Sequence, residues 1–171
     1  MEGASARVVA VDASVLINLI HGNQLPLLGA LRGFAFVVPQ QAVEEITHPE
    51  QAALLTQALD QGHLRRESRT DPAELAAYAE LRKVVGKGEA ACLAMAQTRG
   101  WLVACDERGR FLREVRDRLG AGRVLNTPGL ILLAIRRGIM TVAEADSLKA
   151  LLETRRFKMR FGSFGDLLTQ G

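Results

Sequence analysis

Two short apolar runs each end on an aspartate and then give way to helix-spaced residues: Val8-Val9-Ala10-Val11 runs into Asp12, and Trp101-Leu102-Val103-Ala104-Cys105 into Asp106. Runs this short, without polar alternation, are strands covered on both faces. Phe34-Ala35-Phe36-Val37-Val38 reads as another strand, and Arg123-Val124-Leu125 as a short further one. Between them the spacing turns helical. Ser14 is expected to cap a helix from Val15 to about Ile20, and Pro39 to open one through Glu45 and Ile46. His48-Pro49-Glu50 restarts a helix to about Asp60, and Asp71-Pro72-Ala73-Glu74 announces another with Leu75, Ala79 and Leu81 available for burial. Helical spacing resumes from Glu89 to Gly100 and around Leu112, Val115 and Leu119. A nearly all-apolar helix follows Thr127-Pro128, and Thr141 with Glu144 forms a capping box for the next. The tail from about residue 157 carries no comparable signature. Alternating strands and helices of these lengths specify an α/β fold: one domain over residues 1–171, with a mostly parallel central sheet and helices on both faces.

Composition narrows the function. The chain is 48% hydrophobic and 24% charged, which excludes a disordered or linker-dominated protein, and 5% aromatic residues cannot furnish a row of base-stacking rings. Two cysteines, Cys92 and Cys105, make neither a disulfide framework nor a four-ligand zinc site; they read as buried small hydrophobes and fit a reducing cytoplasm. The longest uncharged stretch is interrupted by Asn18, His21, Asn23 and Pro26, so no membrane span is expected, and Asp12 breaks the first apolar run where an export signal would need continuity. Residues 1–106 carry 9 basic and 12 acidic side chains and residues 107–171 carry 13 and 7, so the balance moves from −3 to +6. A basic second part suits an anionic partner such as nucleic acid, and equally suits a solvated arginine-rich helix surface.

Four acids need explaining. In open α/β sheets the functional crevice lies beyond the carboxyl ends of the strands. Asp12 and Asp106 follow strands, Glu45 sits on the helix entered from the second strand, and Glu89 opens a helix after the turn Gly86-Lys87-Gly88. Singly, each has an ordinary structural role as a cap, a first-turn charge or a solvated side chain. Together at one sheet end, like charges are unfavourable unless a proton or a cation intervenes, and hard carboxylate oxygens suit Mg²⁺ or Mn²⁺. Glu44 adjoins Glu45, but neighbours on a helix point about 100° apart, and the spacing from Pro39 favours Glu45.

Val11-Asp12-Ala13-Ser14-Val15-Leu16-Ile17, Pro39 through Glu45-Ile46, Gly88-Glu89-Ala90-Ala91 and Val103-Ala104-Cys105-Asp106, in that order, resemble the PIN-domain nucleases, especially the VapC-like toxin ribonucleases of prokaryotic toxin–antitoxin systems. Ala134-Ile135-Arg136-Arg137-Gly138-Ile139 looks like a prokaryotic PIN subgroup. The resemblance implies a PIN-like three-layer fold and a metal-dependent endoribonuclease. Asp12, Glu45, Glu89 and Asp106 would be catalytic, with Mg²⁺ or Mn²⁺ held by Asp12, Glu89 and Asp106, and Ser14 would orient the first carboxylate. It also implies a small antitoxin partner and a homodimer. The sequence departs from the fuller pattern at Cys105, where many relatives carry another acid, and at Asn126-Thr127, which offers no carboxylate.

RNA is expected to approach over the basic second part, with Arg110 and Arg113 among its phosphate contacts and Lys87 beside the glycine turn. Lys87 serves equally as a surface-turn residue, because Gly86-Lys87-Gly88-Glu89 lacks the spacing and the Ser or Thr of a P-loop. The competing reading is a non-catalytic module whose degraded acidic site holds no metal and whose basic surface binds RNA or protein. A phosphatase using Asp12 as nucleophile needs a second acid two residues on, where Ser14 stands.

Overall fold

The computed structural model describes residues 4–69 and 71–170. Five strands, β1 (Arg7–Val11), β2 (Phe34–Pro39), β3 (Arg65–Glu67), β4 (Leu102–Ala104) and β5 (Val124–Leu125), form one sheet in the order β3-β2-β1-β4-β5. Every pairing is parallel, with Val9 opposite both Phe36 and Leu102. Such a sheet needs both faces covered, and strand alternation builds two cores. Val9, Val11, Phe36, Val38, Leu102 and Ala104 point into one. Ala10, Val37, Val103 and Cys105 point into the other. The first core is closed by α1 (Ala13–His21), α2 (Pro26–Ala30), α4 (Pro49–Asp60), α8 (Thr127–Arg136), α9 (Val142–Thr154) and α10 (Phe164–Leu168). The second is closed by α5 (Pro72–Leu81), α6 (Lys87–Arg99) and α7 (Arg110–Leu119). The remaining helix, α3 (Gln40–Glu45), leaves β2 directly and packs on α6. The three-layer α/β expectation holds, with a sheet that is parallel throughout.

Several local expectations change. Asp12 rather than Ser14 caps α1, its carboxylate accepting the Ser14 N–H, because an extended residue directly after the strand already has cap geometry. Pro39 ends β2 and stands before α3 instead of opening it; its ψ of 150° is extended. On α5, Leu75 is 47% exposed and Ala79 is exposed, while Glu74 is buried with Leu81. Helical spacing had assigned that face to the leucine, but the acid takes it because Arg99 on α6 pairs with it. Strand β3, Arg65-Arg66-Glu67, has no apolar pattern and carries the charged character usual at a sheet edge. The tail is ordered: Met159 and Phe164 enter the first core, and Asp146 on α9 accepts the Ser163 hydroxyl and the Phe164 N–H at 2.6 and 2.8 Å. The capping box of Thr141 and Glu144 forms as expected.

Candidate active site

The order β2-β1-β4 puts the ends of the three central strands side by side, and the connections reverse direction between β1 and β4. A crevice opens at such a reversal, beyond the strand ends. Here it is a pocket of about 310 Å³ lined by Asp12, Ala13, Ser14, Ile17, Glu45, Gly86, Glu89 and Glu107. Asp12 is delivered by β1, Glu45 by the last turn of α3 after β2, and Glu89 by the first turn of α6.

Asp12 is 3% exposed. Its Oδ2 accepts the Ser14 hydroxyl at 2.8 Å and the Ser14 N–H at 3.2 Å, and the Cys105 thiol lies 3.6 Å away as a further donor. These donors fix the carboxylate so that Oδ1 is buried with no hydrogen-bond partner among the described residues. An unmatched carboxylate oxygen in low dielectric is costly.

Gly88 explains how a second acid comes close. A Cβ there would stand 2.8 Å from Asp12 Oδ1 and 2.8 Å from Glu45 Oε2, so only a glycine lets both oxygens close over its Cα. Its N–H, one of the unpaired donors at the start of α6, donates to Glu45 Oε1 at 2.9 Å. Glu44 faces away, toward Gln40, which settles which acid of the pair meets the pocket. Glu89 reaches back to the Gly86 N–H at 3.0 Å. Burial pushes its carboxyl up, and the charges of Asp12, Glu107 and Glu45 push the same way against that hydrogen bond.

Asp106 is placed differently. Its backbone N–H donates to Ser14 Oγ at 3.1 Å, but both oxygens of its side chain are engaged. Oδ1 accepts the Thr127 N–H at 2.8 Å; Oδ2 accepts Asn18 Nδ2 at 2.8 Å and Thr127 Oγ1 at 2.5 Å. Among the described residues, no three His, Cys, Asp or Glu side chains converge on one cation position. The donor set nevertheless fits a hard divalent ion: an orphaned, buried Asp12 oxygen and a Glu45 oxygen both lie over Gly88, and a third acid, Glu89, lines the same pocket.

The family model described as DUF3368, PIN domain, matches residues 8–162, which takes in all four acids. The chain belongs to the PIN-domain family. PIN domains are typically nucleases. The crystal structure of PAE2754 from Pyrobaculum aerophilum is similar to this PIN domain in fold, with a TM-score of 0.50 and 18% identity over 78% of this chain and 94% of that one. No curated protein matches the chain.

Around the pocket, Lys87 is exposed at the first position of α6, next to the pocket-lining Gly86. Arg110 and Arg113 are exposed on α7, which buries Phe111 and Val115 instead, whereas Arg118 is paired with Glu114. Sequence spacing singled out neither Asn18 nor Thr127. Asn18 had a visible signal, a lone amide inside Leu16-Ile17-Asn18-Leu19-Ile20; Thr127 read only as a helix start. Cys92 and Cys105 are both buried and free, with burial raising each thiol, so the expected small-hydrophobe role holds for Cys92, while Cys105 also donates into the site. No helix among the described residues is long and apolar enough to cross a membrane.

Proposed function

We propose that this PIN domain is a divalent-metal-dependent endoribonuclease that hydrolyses RNA phosphodiester bonds. The observation that carries the reading is Asp12 Oδ1, buried and unpartnered, opposed to Glu45 over the Gly88 Cα. Asp12, Glu45 and Glu89 would hold Mg²⁺ or Mn²⁺, with Asp106 behind them through Ser14. A bound ion of this kind polarises the phosphate, lowers the pKa of a water and offsets charge developing in an in-line displacement. The chain's own contribution is placement. Ser14 and Cys105 hold Asp12 in one orientation, the Gly88 N–H holds Glu45, and the open pocket admits an extended phosphodiester. Glu89, anchored by its hydrogen bond from the Gly86 N–H, presents its carboxylate to the same pocket from the first turn of α6. A VapC-like toxin role, with a small antitoxin protein, a homodimer and a cytoplasmic location, is the finer part of the proposal and rests on the motif resemblance.

Metal removal tests the core of it. Cleavage of a structured RNA is expected with Mg²⁺ or Mn²⁺ and is expected to stop in EDTA, returning when the ion is restored. Cleavage that persists unchanged in EDTA contradicts the reading, and RNA binding without cleavage under either ion favours the non-catalytic module.

The substrate path gives a second expected result. Arg110 and Arg113 stand exposed on α7, which begins three residues after Glu107 of the pocket wall. Phosphate contacts release counterions, so in an Asp12→Asn background RNA affinity should fall steeply with salt, and the Arg110→Gln/Arg113→Gln pair should flatten the slope by about two counterions' worth. Affinity measured at several salt concentrations decides; an unchanged slope assigns these arginines to surface solvation.

A further inference from the structure

Glu107 lines the pocket together with Asp12, Ser14, Glu45 and Glu89, and Asp106 does not. The Glu107 N–H donates to Cys105 Sγ at 3.3 Å, which fixes the backbone there, while its exposed side chain has no hydrogen bond or ion pair among the described residues. The buried, unpartnered Asp12 Oδ1 belongs to the same pocket and points independently to a cation there. Asp106, by contrast, spends its two oxygens on three donors from α1 and α8.

We propose that Glu107 supplies the fourth carboxylate of the pocket and that Asp106 is a positioning residue. This rests on the divalent-metal reading of the site. Asp106 ties the start of α8 to α1, and its backbone N–H holds the Ser14 hydroxyl that orients Asp12. The arrangement also makes sense of Cys105. At that position the side chain is buried behind Asp12 and serves it as a hydrogen-bond donor, so a further acid finds room only on the open side, two residues on.

Calorimetric titration with Mn²⁺, paired with thermal unfolding in EDTA, separates the roles. Glu107→Gln should weaken Mn²⁺ binding about tenfold and leave the melting temperature within about a degree. Asp106→Asn presents a donor where Asn18 already donates, so it should lower the melting temperature by roughly 5 °C and weaken Mn²⁺ less than Glu107→Gln does. Thr127→Val keeps the Asp106 charge and covers the case in which Asp106→Asn does not fold; it should melt early with Mn²⁺ affinity within about twofold of the unsubstituted protein. Glu107→Gln binding Mn²⁺ like the unsubstituted protein overturns the inference while the metal reading stands. No Mn²⁺ binding by the unsubstituted protein overturns both.

Discussion

Asp12→Asn is expected to abolish most nuclease activity, by on the order of 10²–10³-fold, while making the metal-free protein no less stable. The two halves of that expectation come from the two oxygens. Oδ2 caps α1, and asparagine is as good a cap as aspartate, so the Ser14 N–H and hydroxyl keep their acceptor. Oδ1 is buried without a partner and faces Glu45 Oε2 across Gly88. An amide there removes one negative charge from a pocket that also holds Glu45 and Glu89, which should add stability of up to about 1 kcal/mol. Metal should then distinguish the proteins: Mg²⁺ or Mn²⁺ raises the melting temperature of the unsubstituted chain, because it binds the folded state alone, and leaves that of the variant in place. Circular dichroism, melting with and without metal, and RNA cleavage together check it. Wild-type cleavage by the variant removes Asp12 from the chemistry.

How far the sequence reached is clearest from particular residues. The β1 and β4 runs were legible because strands buried on both faces allow nothing but apolar residues, and the acids closing them were legible because an abrupt Asp after such a run has few ordinary reasons to be there. Glu45 was separable from Glu44 by helical phase together with the spacing from Pro39. Strand β3 was not legible: an edge strand is specified by its neighbour β2, and Arg65-Arg66-Glu67 carries no period of its own. Leu75 and Glu74 show a different failure. Spacing ranks residues by hydrophobicity, but a carboxylate with a guanidinium partner 25 residues away can outrank a leucine for the buried position, and that partner is invisible until the helices pack. The same holds at the site. The strand-end pattern singled out Asp106 and passed over Glu107, because the residues that engage the Asp106 side chain, Asn18 and Thr127, are each brought in from another element and leave no mark on the chain around residue 106.

Arg99→Met is expected to cost about 3 kcal/mol of stability, a large part of what a domain this size possesses, without touching the chemistry. Arg99 is the last residue of α6. Its guanidinium pairs with Glu74 through Nε and through Nη2 at 2.9 Å, and with Glu67 through Nη1 at 2.9 Å; it also lies over the Trp101 ring. The Glu74 side chain is only 2% exposed, so removing Arg99 strands a charge that water cannot reach, whereas the 25% exposure of Arg99 itself keeps the cost at the lower end for such pairs. Replacing both charges at once, Arg99→Met with Glu74→Leu, should recover much of the loss, since the penalty belongs to the unmatched charge and not to the absence of the pair. The acid limb should change too. Burial pushes the Glu67 carboxyl up, but its hydrogen bonds and charge pairing with Arg99 and Arg65 outweigh that and hold it below the usual value. A depressed carboxylate adds stability above its unfolded pKa that is lost as pH falls, so the Arg99→Met protein should lose less stability on acidification than its parent. Glu89 sits in the first turn of α6 and Arg99 at its far end, so cleavage at temperatures well below the melting point should stay at the parental rate. Urea unfolding at two pH values and an activity assay at low temperature settle it: a single variant as stable as the double one would show that the buried Glu74 finds another partner, and a fall in cleavage without a fall in stability would tie the two ends of α6 together.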